Sequence, residues 1–196
     1  MKITLKRYGF TLAEMMVCLA VLSIIATMLI PAIMQVKPAK NKILFKKAYY
    51  LAERIVTELV NDEDMYATKL GKEGFDEIEP AAIDSSISGN TKFCKLFATK
   101  VNTVDDVPNC VSNQIAFISS DGIEWIMPIT DFTTDAKIKV DVNGSDKKPN
   151  CMYNKTDPEK CSDPDIFEIF IKKDGKMYVK DEKAKEYLKT NDTIKR

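Results

Sequence analysis

The chain has no histidine among its 196 residues. That removes the commonest general base and the commonest neutral metal ligand. It also has no excess of charge: 29 basic residues meet 29 acidic ones. A balanced chain offers neither a nucleic-acid groove nor strong binding to an anionic surface, so no nucleic-acid partner is expected. No serine-elbow motif and no glycine-rich phosphate loop occurs. Carboxylates are plentiful, but nothing in their spacing singles out an acid–base pair acting on glycans. An enzyme is therefore not the expectation. Internal repeats and low-complexity linkers are absent as well.

The informative part is the beginning. A short leader, Met1 to Tyr8, carries Lys2, Lys6 and Arg7, and Gly9-Phe10-Thr11-Leu12-Ala13-Glu14 follows. From Met15 to Met34 no residue is charged. A run of about 20 apolar residues matches the length of a membrane-crossing helix. A secretory signal would have a shorter run and a small-residue cleavage site, and Ile33-Met34-Gln35-Val36-Lys37 offers none. The run is thus expected to be retained as a transmembrane helix, with Cys18 packed in it as a small apolar residue. Glu14 at its start calls for a partner, since a lone carboxylate in lipid is expensive. Pro31 lacks an N–H and crowds the Thr27 carbonyl, so it should bend the helix without ending it.

Gly9-Phe10-Thr11-Leu12-x-Glu14 before an apolar helix resembles the processing signal of the type IV pilin and type II secretion pseudopilin superfamily. The resemblance implies a prepilin peptidase that cuts between Gly9 and Phe10 and methylates the new Phe10 amine. It implies that Glu14 is an assembly contact, neutralising that amine, and that Pro31 stands where many members carry a proline. Ala13 departs from the bulky aliphatic residue usual there. The implied function is a structural subunit of a type IV pilus-like or type II secretion filament, assembling through its N-terminal helix and Glu14. The implied partners are the prepilin peptidase, other pilin or pseudopilin subunits and an inner-membrane assembly platform. The implied location is the bacterial inner membrane, single-pass, with an extracytoplasmic head that reaches a periplasmic or cell-surface filament. Lys37, Lys40, Lys42, Lys46 and Lys47 put positive charge beyond the run as well, and simple charge counting would point the other way. The alternative is a membrane-anchored extracytoplasmic binding or adhesion protein that does not polymerise.

Roughly 160 residues follow, enough for one domain with a core. Leu44, Ala48, Leu51, Ala52, Ile55, Val56 and Leu59 recur at spacings of three and four, which predicts an amphipathic helix over Lys40–Asp62. Residues from Gly71 to about Pro108 read as a connecting region with a short helix or two. Ile115–Ile118 and Ile123–Ile129 flank Ser120-Asp121-Gly122, a hairpin signal, and Trp125 is expected in the core. Ile138–Val142 alternates as a third strand. Phe167–Ile171 and Met177–Val179 flank a second turn, and Lys183–Leu188 reads as a short helix. The expected fold class is α+β, a pilin-like fold. A long N-terminal transmembrane helix would continue as an amphipathic spine packed on a small antiparallel β-sheet. Its parts would be a leader at 1–9, a transmembrane and filament-core helix at 10–36, the soluble spine at 37–66 and the head at 67–196.

Cys94, Cys110, Cys151 and Cys161 allow three pairings, of which sequence proximity favours Cys94–Cys110 and Cys151–Cys161. A zinc site is the rival, weakened by the absence of C-x-x-C pairs. Disulfides suit an oxidising compartment, and a late loop closed by Cys151–Cys161 resembles a feature of many pilins. Asp141-Val142-Asn143-Gly144, Pro149-Asn150 and Asp163-Pro164-Asp165-Ile166-Phe167 resemble a recurring block of pilin-like proteins, here with the two cysteines inserted. No cofactor is expected. Asp141, Asn143, Asp146, Asp163 and Asp165 are hard oxygen ligands that calcium would accept. Asx turns and solvated loop acids account for them equally, and Gly144 breaks the EF-hand order.

Overall fold

Thr11 and Glu14 stand three residues apart, the spacing at which two side chains can close a helix N-terminus reciprocally. A computed structural model describes residues 11–35, 40–66, 74–76, 79–104 and 106–189, the side chains of 28–35 and 76 excepted. The chain divides into two units, Met1–Pro38 and Ala39–Arg196. In the first, helix α1 (Leu12–Gln35) begins directly after Thr11 and continues past Pro31. Its described apolar side chains are exposed, Leu12, Leu19 and Leu22 among them. Cys18 is an exposed free thiol there, not a packed one.

The expected transmembrane spine requires correction. Among the described residues no helix is long and apolar enough to cross a membrane. The next helix, α2 (Lys40–Asn61), is separately defined and belongs to the second unit. The fold class with a transmembrane helix running on as a spine is therefore not what the structure has. The single-pass inner-membrane location and the filament role through a membrane-spanning helix fall with it, as does the membrane-anchored alternative.

In the second unit, the periodicity of α2 is realised as burial. Phe45, Ala48, Ala52, Ile55, Val56 and Leu59 lie on the inner face with no exposed surface. Leu44 and Leu51 are only half-buried, whereas Phe45 stacks on Phe167 of the sheet at 4.0 Å between ring centroids. The sheet is an antiparallel meander, β1 (Phe117–Ile118), β2 (Glu124–Ile126), β3 (Ala136–Asp141), β4 (Ile166–Ile171) and β5 (Met177–Tyr178), in that order. Period-two alternation decides its two faces. Ala136, Ile138 and Val140 pair across to Ile171, Ile169 and Phe167 and form the buried face. Lys137 and Lys139 stand opposite Phe170 and Glu168 on the other face.

The remaining pieces cover the core. Helix α3 (Lys92–Thr99) delivers Phe93, Leu96 and Phe97, and Phe97 meets Trp125 at 5.4 Å. Trp125 is fully buried, and its Nε1–H donates to Ser119 Oγ at 3.2 Å, so the polar end of the ring is not stranded. Lys92 is buried too. Its ammonium donates to the Glu79 carbonyl at 2.9 Å and lies 4.4 Å from the Tyr66 ring centroid. A short 3-10 turn, Gly74–Asp76, brings in Phe75, whose N–H donates to the Lys173 carbonyl at 2.9 Å. Gly74 has φ +67 there, and a Cβ would meet that carbonyl oxygen at 2.0 Å, so glycine is required by space as well as by conformation. Helix α4 (Glu182–Lys189) closes the unit with Ala184 and Tyr187 inward. Disulfides join Cys94 to Cys110 and Cys151 to Cys161.

Candidate functional site

Two places carry chemistry, one in each unit. The first is the start of α1. Thr11 N–H and Thr11 Oγ–H both donate to Glu14 Oε2 at 2.8 Å. In return Glu14 N–H donates to Thr11 Oγ1 at 3.3 Å. This is a capping box, Thr-x-x-Glu, in which two otherwise unpaired helix-terminal N–H groups are satisfied reciprocally. The first helical bond is Met15 N–H to the Thr11 carbonyl at 3.2 Å. The expected processing residues Gly9 and Phe10 lie outside the described residues, so the structure gives no pairing of Glu14 with a Phe10 amine. Pro31 sits within α1 as a helical residue.

The second place is a loop at one end of the sheet. Glu124 and Asp141 are cross-strand neighbours on the face opposite the core. Residues on that face are normally solvated, yet these two are only 8% and 6% exposed, and Asp165 is 0% exposed. The chain after β3 folds back over them, and each carboxylate is occupied by N–H donors of that chain. Asp141 Oδ1 accepts from Asn143 N–H and Gly144 N–H at 3.3 and 3.0 Å. Glu124 Oε1 accepts from the Ser145 N–H and hydroxyl at 3.0 and 2.8 Å. Asp165 takes Asn150 N–H on one oxygen and Cys151 N–H on the other, both at 2.8 Å. Gly144 has φ +83, and the space a Cβ would fill lies 3.3 Å from the Gly122 carbonyl oxygen. Burial, with the Asp165 and Glu124 carboxylates nearby, raises the Asp141 pKa above the usual aspartate value. The three acids thus hold residues 143–151 in one conformation and leave Ser145 to Asn150 exposed.

Of the residues named as calcium ligands, Asp141, Asn143 and Asp165 meet in this loop, and Asp146 and Asp163 do not join them. Asp163 turns elsewhere, accepting from Asn41 Nδ2 at 3.2 Å and from the Tyr187 hydroxyl at 3.4 Å. Asp146 is exposed. Asn143 is 7% exposed, and its Oδ1 has no hydrogen-bond partner. Among the described residues no group of three His, Cys, Asp or Glu side chains could hold a metal ion. Sequence reading missed two participants. Glu124 could not be found locally, because its role depends on a loop about twenty residues away covering the outer face of β2. Thr11 could have been found, since Thr-x-x-Glu before an apolar run is a readable helix start.

Residues 4–30 match the family described as the prokaryotic N-terminal methylation motif. No curated protein and no solved structure matches the chain. The N-terminus is therefore prepilin-like in general character, and a prepilin peptidase-type enzyme is the partner that this motif suggests.

Proposed function

We propose that the chain belongs with the type IV pilin and type II secretion pseudopilin superfamily as a prepilin peptidase substrate. It is cut between Gly9 and Phe10 and methylated on the Phe10 amine, and its partners include other pilin or pseudopilin subunits. The observation that carries this reading is the methylation motif over residues 4–30. The Gly9-Phe10 junction falls inside it, two residues before α1 begins at Leu12. Small residues before a scissile bond let an enzyme approach the backbone closely. The reading assigns the second unit no reaction of its own. Its buried carboxylates are engaged by loop N–H groups, and the chain lacks histidine. Intact-mass measurement of the protein from its native cell tests the reading. Loss of Met1–Gly9 with the gain of one methyl group is expected, and a mature chain that still starts at Met1 would sink it.

A further inference from the structure

A polar groove of 330 Å³ lies on the outer face of the sheet. Its floor is a cross-strand row, Ile126, Lys139 and Glu168. Its walls are the turn at Ser112 and Asn113 and parts of the chain between β2 and β3. The volume lies at the small end of ligand sites, which span about 300–1,000 Å³. The β2–β3 wall is pinned. Phe132 is buried with φ +57, and its N–H donates to Thr130 Oγ1 at 2.9 Å. The Thr130 N–H in turn donates to the Asn90 carbonyl at 2.9 Å. A wall held in this way has little ordering left to lose when a ligand arrives. The polar groups of the groove fall into two sets. Its carboxylates are taken: Glu168 Oε1 accepts from the Lys137 ammonium at 2.8 Å, and Asp135 Oδ2 from the Tyr178 hydroxyl at 2.6 Å. Its other polar side chains are open. Lys139, half-buried and directly opposite Glu168, has no hydrogen-bond or ion-pair partner among the described residues. The exposed side chains of Ser112, Asn113 and Thr134 have none there either. An ammonium that has lost part of its hydration and gained no acceptor favours any ligand that brings one.

We infer that this groove binds an acidic sugar, a ring bearing a carboxylate and several hydroxyls. The carboxylate accepts from the Lys139 ammonium, a charge-assisted bond that no protein group makes. The ring hydroxyls meet Ser112, Asn113 and Thr134, side chains that both donate and accept. A C–H face of the ring rests on Ile126. A bare anion uses only the ammonium, and a neutral sugar leaves it unmatched. The site lies wholly in the second unit and does not depend on processing at Gly9–Phe10. Titration calorimetry of the full chain with galacturonate, galactose and inorganic phosphate tests it. Galacturonate should bind about tenfold more tightly than galactose, the ratio set by one hydrogen bond to a charged group. Lys139→Met should abolish that preference and leave galactose binding unchanged. Asn113→Gly keeps the positive φ of the turn. It should weaken galacturonate about fivefold, the ratio for one neutral hydrogen bond, without changing phosphate binding. Lys155→Met, at a lysine outside the groove, should change nothing. Urea midpoints show that each variant is folded, and the ligand comparison on the wild-type chain decides even where one is not. No saturable binding of galacturonate at millimolar concentration would overturn the inference. Equal affinity for galactose, or equal loss in Lys139→Met and Lys155→Met, would overturn it too, because no fixed ammonium would then be reading the ligand. Phosphate bound as tightly as galacturonate, with Asn113→Gly silent, would reduce the groove to an anion contact and overturn the sugar assignment.

Discussion

Helices α1 and α2 are nearly equal in length, 24 and 22 residues, yet they use their apolar residues in opposite ways. In α2 the apolar positions fall on one stripe, and tertiary contacts with the sheet turn that stripe into burial. In α1 apolar residues occupy every side, and those described remain exposed, Leu22 at 61%. Hydrophobicity alone therefore does not decide what is buried; its arrangement around the helix does. The meaning of α1 lies in a linear motif and a cap, whereas the meaning of α2 lies in what it touches. If that contrast is right, substitutions in the second unit should be expensive and those along α1 should cost the fold nothing.

The largest effect should come from Trp125→Ala. The side chain is fully buried between α3 and the sheet, and truncation leaves a cavity and removes the N–H donated to Ser119 Oγ, whose hydroxyl keeps its bond to Asp121. A loss of about 3–5 kcal/mol is expected in urea unfolding of the full chain. A cost below about 1 kcal/mol would show that the aromatic core is not what holds this unit. Opening the Cys94–Cys110 bridge ranks next. Its cysteines are 16 residues apart, a loop for which restriction of the unfolded chain gives about 3 kcal/mol. Cys94→Ala with Cys110→Ala should lower the unfolding midpoint accordingly. The Cys151–Cys161 loop spans 10 residues and should matter slightly less.

Much of the second unit was legible because it is locally encoded. The Ser120-Asp121-Gly122 turn, the β4–β5 turn and the alternation of β3 needed no distant partner to be read. Phe45 lies on the same stripe, three residues before Ala48, but its neighbour Leu44 fits the spacing equally well, and only the stacked Phe167 ring shows which of the two faces inward. Lys92 could not be read as a core residue, since its burial depends on the Tyr66 ring and the Glu79 carbonyl. The transmembrane spine was an expectation carried by hydropathy and family likeness, and neither contains the geometry that decided it. At the candidate sites, the Thr11–Glu14 spacing was readable and the function of Glu124 was not. The first is a contact within one helical turn, while the second arises when a loop folds over a strand.

That loop yields effects of middling size. Asp165→Asn would put an amide NH₂ against one of two N–H donors, from Asn150 and Cys151, at a site with no access to water. A buried donor left unsatisfied costs about 1–3 kcal/mol, and proteolysis within 143–151 should quicken in parallel. Unchanged stability would mean that the carboxylate does not hold the loop. The pH dependence is a finer probe. Asp141 has a raised pKa in the folded chain, caused first by burial and then by the Asp165 and Glu124 carboxylates. Folding therefore favours its protonated form. Its stabilising contribution is present below the unfolded-state value and is lost as pH rises through the raised folded value. Urea midpoints followed from about pH 4 to about pH 7 should contain this falling component, and Asp141→Asn should remove it. A component of opposite sign would show the ionised carboxylate to be the favoured form.

The smallest expected effect is the one that tests the contrast from its other side. Leu22→Ala in α1 removes the same atoms that would cost about 2–5 kcal/mol from a closed core. Here the side chain is 61% exposed, so little apolar surface is removed from water by folding and no cavity forms. Alanine is also the best helix former, which offsets part of any loss within α1 itself. The urea midpoint of the second unit should move by less than about 0.5 kcal/mol, the range of ordinary surface substitutions. Leu59→Ala in α2, where the side chain is fully buried, is the matched comparison and should show the full core penalty of about 2–5 kcal/mol. Equal costs at the two leucines would mean that α1 is covered by protein in solution, and the division between a helix read by its motif and a helix read by its contacts would fail.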